Sequence, residues 1–98
     1  MDVQDLFKDI KDITTIELER RIHKLVRENF RYKNLDSSNQ EIVFDLIKKY
    51  RRYLIERREI PRNNIRDELH KLYLDRVKLN LTEEDLKDIK EILLMFKK

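Results

Sequence analysis

Apolar residues recur along this chain at intervals of three and four, and the pattern restarts four times. Val3, Leu6, Phe7 and Ile10 form the first short stripe, and Leu18, Ile22, Leu25, Val26 and Phe30 the second. The third comprises Ile42, Val43, Leu46, Ile47, Tyr50, Tyr53 and Leu54. Ile65, Leu69, Leu72, Tyr73 and Val77 form the fourth, and Leu86, Ile89, Ile92, Leu93 and Phe96 the fifth. This spacing places each set on one face of an α-helix and predicts helices over about 2–12, 15–32, 39–59, 65–78 and 83–96.

Start signals agree with the stripes. Thr14 with Glu17 makes a capping box, and Ile13 with Leu18 a hydrophobic staple, at the second helix. Ser38 with Glu41, or Ser37 with Gln40, opens the third helix, and Asn63 or Asn64 can cap the fourth. Thr82 with Asp85 and Leu81 with Leu86 repeat both signals at the fifth helix. Pro61, the only proline, ends the third helix or opens the turn after it. There is no glycine and no alanine. Without glycine, left-handed helix stops and tight hairpins are largely closed to the chain, so boundaries should be set mainly at helix starts. The expected fold is all-α: a compact antiparallel bundle of four main helices plus a short N-terminal helix, with residues 1–98 as a single helical domain.

The same composition excludes several chemistries. A glycine-rich phosphate loop cannot be built. Without cysteine there are no disulfides and no thiolate metal ligands. The longest apolar run is Ile92–Leu93–Leu94–Met95, far short of the ~18 residues of a membrane span. The first residues, Met-Asp-Val-Gln-Asp, lack the apolar stretch of a signal peptide. A soluble cytoplasmic protein without a cofactor is the simplest expectation.

Charged residues make up 44% of the chain, and the net charge of +3 hides a segregation. Residues 1–19 carry two basic and six acidic groups, whereas residues 20–33 carry six basic and one acidic. Residues 45–62 carry seven basic and three acidic. At about 100° per residue, Arg20, Lys24, Arg27 and Arg31 share one sector of the second helix, opposite its apolar stripe. Lys48, Arg51, Arg58 and Arg62 share a sector of the third helix, together with Phe44 and Ile55. Two such stripes are an electrostatic footprint for nucleic acid or for an acidic protein associated with it, Phe44 being able to stack on a base. Each stripe alone is what any amphipathic helix carries, and the acidic first helix could neutralise one of them.

Other residues point elsewhere. His23 and His70 lie on different helices without a second ligand at zinc spacing, and the carboxylates of residues 83–91 do not match a calcium loop. No metal site and no catalytic residue is expected. Arg57 and Arg76 fall on or beside apolar faces, where an arginine clamps an anion or snorkels to solvent. Asn63-Asn64-Ile65-Arg66 could begin a recognition helix after the Pro61 turn, but the usual turn glycine is missing. Leu74, Leu94 and Met95 lie off the core stripes and, with Phe44 and Ile55, could form a partner surface or an oligomer contact. The segment from Leu72-Tyr73 to Leu81-Thr82-Glu83 resembles the C-terminal half of small four-helix bacteriocin immunity proteins. That resemblance implies a helical protein–protein interaction module. The leading expectation is a non-enzymatic module that binds nucleic acid or an acidic partner through the second and third helices.

Overall fold

Helices form on each of the five stripes, and most end earlier than the spacing predicts. The computed structural model describes residues 1–97. It is all-α: α1 (Val3–Phe7), α2 (Thr15–Glu28), α3 (Ser37–Ile55), α4 (Asn64–Leu74) and α5 (Glu83–Leu94). Single 3-10 turns follow α2 at Phe30–Tyr32 and α5 at Met95–Lys97. Among the described residues, no helix is long and apolar enough to cross a membrane.

The starts are fixed by side chains. Asp2 and Asp5 form a full capping box on α1, and Thr82 and Asp85 form one on α5. Thr14 accepts from the Glu17 N–H, but the Glu17 carboxylate turns to Arg20 and Arg21, so that box is half made. Asp36, and not Ser37 or Ser38, caps α3 by accepting from the Asn39 N–H. Asn63 precedes α4 without a side-chain cap bond, while Asn64 accepts a hydrogen bond from the Tyr50 hydroxyl instead.

The stops overturn the expectation drawn from the missing glycine. Asp9, Arg57 and Asn80 adopt left-handed backbone with φ of 55°, 57° and 62°. After α3 the Arg58 N–H donates to the Tyr53 carbonyl at 2.8 Å and the Arg57 N–H to that of Leu54 at 3.2 Å. The same pair of bonds recurs from Leu81 to Arg76 at 2.8 Å and from Asn80 to Val77 at 3.3 Å. The first pair ends α3 and the second closes the turn between α4 and α5, and both ordinarily recruit glycine at the left-handed position. The chain builds them with arginine and asparagine.

Early stops re-aim several side chains. Asn29 ends α2 and its side chain caps the following 3-10 turn, which carries Phe30 outward (86% exposed) and Tyr32 inward. Leaving α4 at Leu74 exposes Val77 (83%) and leaves Tyr73 about half exposed, although both were expected inside. The remaining stripes meet in one cluster around Leu18, Ile22, Ile47, Tyr50, Ile65 and Ile89. Full burial of such a side chain favours folding by about 1.5–3 kcal/mol. Neighbours pack in the order α1 on α2, α2 on α3, α3 on α5 and α5 on α4. The Phe96 ring closes one end, 5.0 Å from Phe7 and 5.8 Å from Tyr50 between centroids.

Candidate nucleic-acid interface

Arg20, Lys24 and Arg27 stand on the exposed side of α2, but they do not form a free basic stripe. Arg20 grips both oxygens of Glu17, at 2.8 and 2.9 Å, and this pairing holds the Glu17 carboxyl below its usual range. Arg27 lies 3.8 Å from Glu28. Lys24 lines a hollow with Arg20 and Arg21, balanced by Asp5, Glu17 and Glu28. Arg31 leaves the stripe altogether. It belongs to the 3-10 turn and forms an ion pair with Glu91 of α5, whose carboxylate also accepts from the Tyr32 hydroxyl at 3.1 Å. Arg21, which the stripe omits, donates to the carbonyls of Leu6 and Lys8 at 3.3 and 2.6 Å. It satisfies acceptors left open at the end of α1.

The two expected stripes do not merge. A groove of about 410 Å³ runs between α2 and α3, with Glu19, Glu41 and Asp45 among its walls beside His23, Phe44 and Lys48. His23 is held there by Gln40 and lies 3.6 Å from Glu19. Acidic walls separate the cations of one helix from those of the other.

On α3 the basic sector is displaced. Arg51 is only 8% exposed, and its Nη1 donates to the Ile13 carbonyl at 2.8 Å. The position one residue further on, Arg52, faces solvent, and Lys49 joins it. Lys48 stays in the surface, 3.4 Å from Asp45 and 4.3 Å from the centre of the Phe44 ring. Arg58 lies past the stop, 4.6 Å from the centre of the Tyr53 ring and 2.8 Å from Glu56. Arg52 holds the other oxygen of Glu56 at 3.0 Å.

Two open grooves meet at Arg58. One, of about 560 Å³, is lined by Asp45, Lys48, Lys49, Arg52, Tyr53 and Arg58. The other, of about 440 Å³, carries Arg58, Arg62 and Lys97 around Leu54, Ile60 and Phe96, with Glu59. Six cations against two acids line the pair. Sequence reasoning found Lys48, Arg58 and Arg62, and missed Lys49, Arg52 and Lys97. The available signal was the i, i+3 and i, i+4 spacing of Lys48, Lys49 and Arg52, which marks neighbours on one helix face. Tyr53 is the aromatic residue among the cations of the first groove.

The remaining candidates disperse. Phe44 is half-buried under Lys48, Ile55 and Leu74 are exposed at the ends of α3 and α4, Leu94 ends α5, and Met95 begins the 3-10 turn after it. Arg57 is exposed at the left-handed stop, and Arg76 folds over Tyr73, 4.1 Å from its ring centre. Among the described residues, no group of three or more His, Cys, Asp or Glu side chains is placed to hold a metal. Comparison with protein-family models, curated proteins and solved structures finds no match to this chain.

Proposed function

We propose that the chain is a small non-enzymatic binding module that holds nucleic acid on the surface formed by the C-terminal half of α3 and the turn after it. The supporting observation is the junction of two cation-lined grooves at Arg58. Phosphates of an extended strand exchange with the carboxylates that now pair with the arginines, above all Glu56, which holds Arg52 and Arg58 in place. The chemistry offered is charge attraction, so binding is independent of sequence and falls steeply with salt. The α2 cations contribute less, because the hollow they line carries three acids to its three basic side chains, whereas the two α3 grooves carry two acids to six.

Fluorescence anisotropy of a labelled oligonucleotide tests this reading. Binding is expected at low salt, with log affinity falling against log salt with a slope of about −2 to −3, as neutralising three to four phosphates of a single strand gives. No binding at low salt removes the proposal.

A further inference from the structure

A second surface lies on the other side of the α5 contact. Leu69 and Tyr73 of α4 and Leu86, Lys87 and Lys90 of α5 line a groove of about 300 Å³, and no acid is among its walls. Leu69 and Leu86 are half-buried and pack on the core, so they form a fixed apolar floor. Tyr73 exposes 47% of its surface. Arg76 sits over the Tyr73 ring and is anchored by donating to the Tyr73 carbonyl at 2.8 Å, which adds a third cation beside the groove.

The rim cations differ from those on α3. Among the described residues, neither Lys87 nor Lys90 has a carboxylate within 4.0 Å. On α3, by contrast, Lys49 pairs with Glu68, and Arg52 and Arg58 share Glu56. An apolar floor with an all-cationic rim selects a ligand that is apolar on one side and anionic on the other.

We infer that the α4/α5 groove docks a short amphipathic acidic segment of a partner protein. Its apolar side chains cover Leu69, Tyr73 and Leu86, and its carboxylates reach Lys87, Lys90 and Arg76. A nucleic acid strand satisfies the cations but leaves the apolar floor uncovered. A second folded copy of this chain does not supply the segment either. Its own acid-rich stretch keeps Leu6 and Ile10 buried in its core. The inference is independent of the nucleic-acid reading, since it uses none of the α3 residues.

The test titrates the isotopically labelled full chain with a helical peptide carrying leucines at i, i+3, i+4 and glutamates elsewhere. Two controls replace its glutamates by lysine or its leucines by serine. Amide shifts are expected at Leu69, Tyr73, Leu86, Lys87 and Lys90, with both controls binding about tenfold weaker or less, the loss that ~1.4 kcal/mol produces. The exposed pair Lys87→Glu/Lys90→Glu should weaken the acidic peptide about tenfold without lowering the melting temperature. Arg52→Glu/Arg58→Glu should leave its binding unchanged. Absent shifts, shifts confined to α3, equal binding of the serine control, or displacement by an oligonucleotide competing for Lys87 and Lys90 would each overturn the inference.

Discussion

Arg51 donates from Nη1 to the carbonyl oxygen of Ile13 at 2.8 Å while nine-tenths of the residue is out of solvent. No carboxylate lies within 4.0 Å of it among the described residues. Its task is to fasten the segment between α1 and α2 onto α3. Arg21 does the same from α2, through the carbonyls of Leu6 and Lys8. Arg51→Ala leaves the partly buried Ile13 carbonyl without its donor and should cost about 1–3 kcal/mol in urea denaturation. Amide exchange should accelerate in residues 1–13. Oligonucleotide affinity at fixed salt should stay unchanged in the folded variant, in contrast to what a surface cation at this position would give.

Arg57 holds a left-handed backbone at the end of α3. That conformation is unfavourable by roughly 1–2 kcal/mol for a residue with a Cβ and is unstrained for glycine. Glycine also gives the unfolded chain more freedom, which offsets part of the gain. Arg57→Gly should therefore stabilise the protein by about 0.5–1 kcal/mol, seen as a rise of a few degrees in melting temperature. Because Arg57 lies outside both basic grooves, nucleic-acid binding should be retained.

Asp88 is buried on α5 beside acids of its own helix. Burial first, and then the Glu84 charge, push its carboxyl above the usual range, with Arg31 opposing them. The folded state therefore prefers the protonated acid. Stability from this group is fully present below the unfolded value of about 4 and falls as pH rises through the higher folded value. Asp88→Asn should melt higher than the parent at pH 7. The difference should shrink to nothing as pH is lowered below about 4.

Tyr50 ties α3 to the start of α4 by donating to Asn64 Oδ1 at 2.6 Å. Tyr50→Phe and Asn64→Ala should each cost about 1 kcal/mol, and the double variant should lose less than the sum. Burial pushes the hydroxyls of Tyr50 and Tyr32 up to about 12, with the Glu91 hydrogen bond adding to Tyr32. Both raised values mean that stability is intact below pH ~10 and is lost as pH rises towards 12. Tyrosinate absorbance compared with Tyr32→Phe and Tyr50→Phe should show these two hydroxyls ionising only as pH approaches about 12.

The five stripes were legible because core burial imposes helical periodicity directly. Thr14, Thr82 and the buried α3 residues Val43, Leu46 and Ile47 stand where the pattern puts them. The ends were not legible, because they depend on bonds that periodicity does not encode. Asn29 ends α2 by turning to extended backbone, its side chain caps the 3-10 turn that follows, and that turn carries Tyr32 inward and Phe30 outward. The absence of glycine misled for a related reason. It raises the energy of a left-handed stop without forbidding one, and Arg57 and Asn80 occupy such stops.

The candidate site was half legible. Lys48, Arg58 and Arg62 emerge from spacing, whereas Arg51 was misplaced by the assumption that a guanidinium must face water. Its partner, Ile13, is 38 residues away in sequence, and the long side chain can bury its stem while its head finds a carbonyl. Charge balance on α2 was legible only in outline, as possible neutralisation by the acidic first helix. Which acids take part is fixed only when α1 packs beside that helix and Asp5 joins Glu17 and Glu28 around Lys24.

The most direct test compares two charge-reversal pairs for oligonucleotide binding over a salt series: Arg52→Glu/Arg58→Glu at the α3 surface, and Arg20→Glu/Arg27→Glu on α2. The α3 pair should lose about tenfold or more in affinity at low salt and flatten the log–log slope by about 1–2, as two lost phosphate contacts require. The α2 pair should change affinity by less than about threefold. A larger loss from the α2 pair, or equal losses from both, would contradict the assignment of nucleic-acid binding to the end of α3.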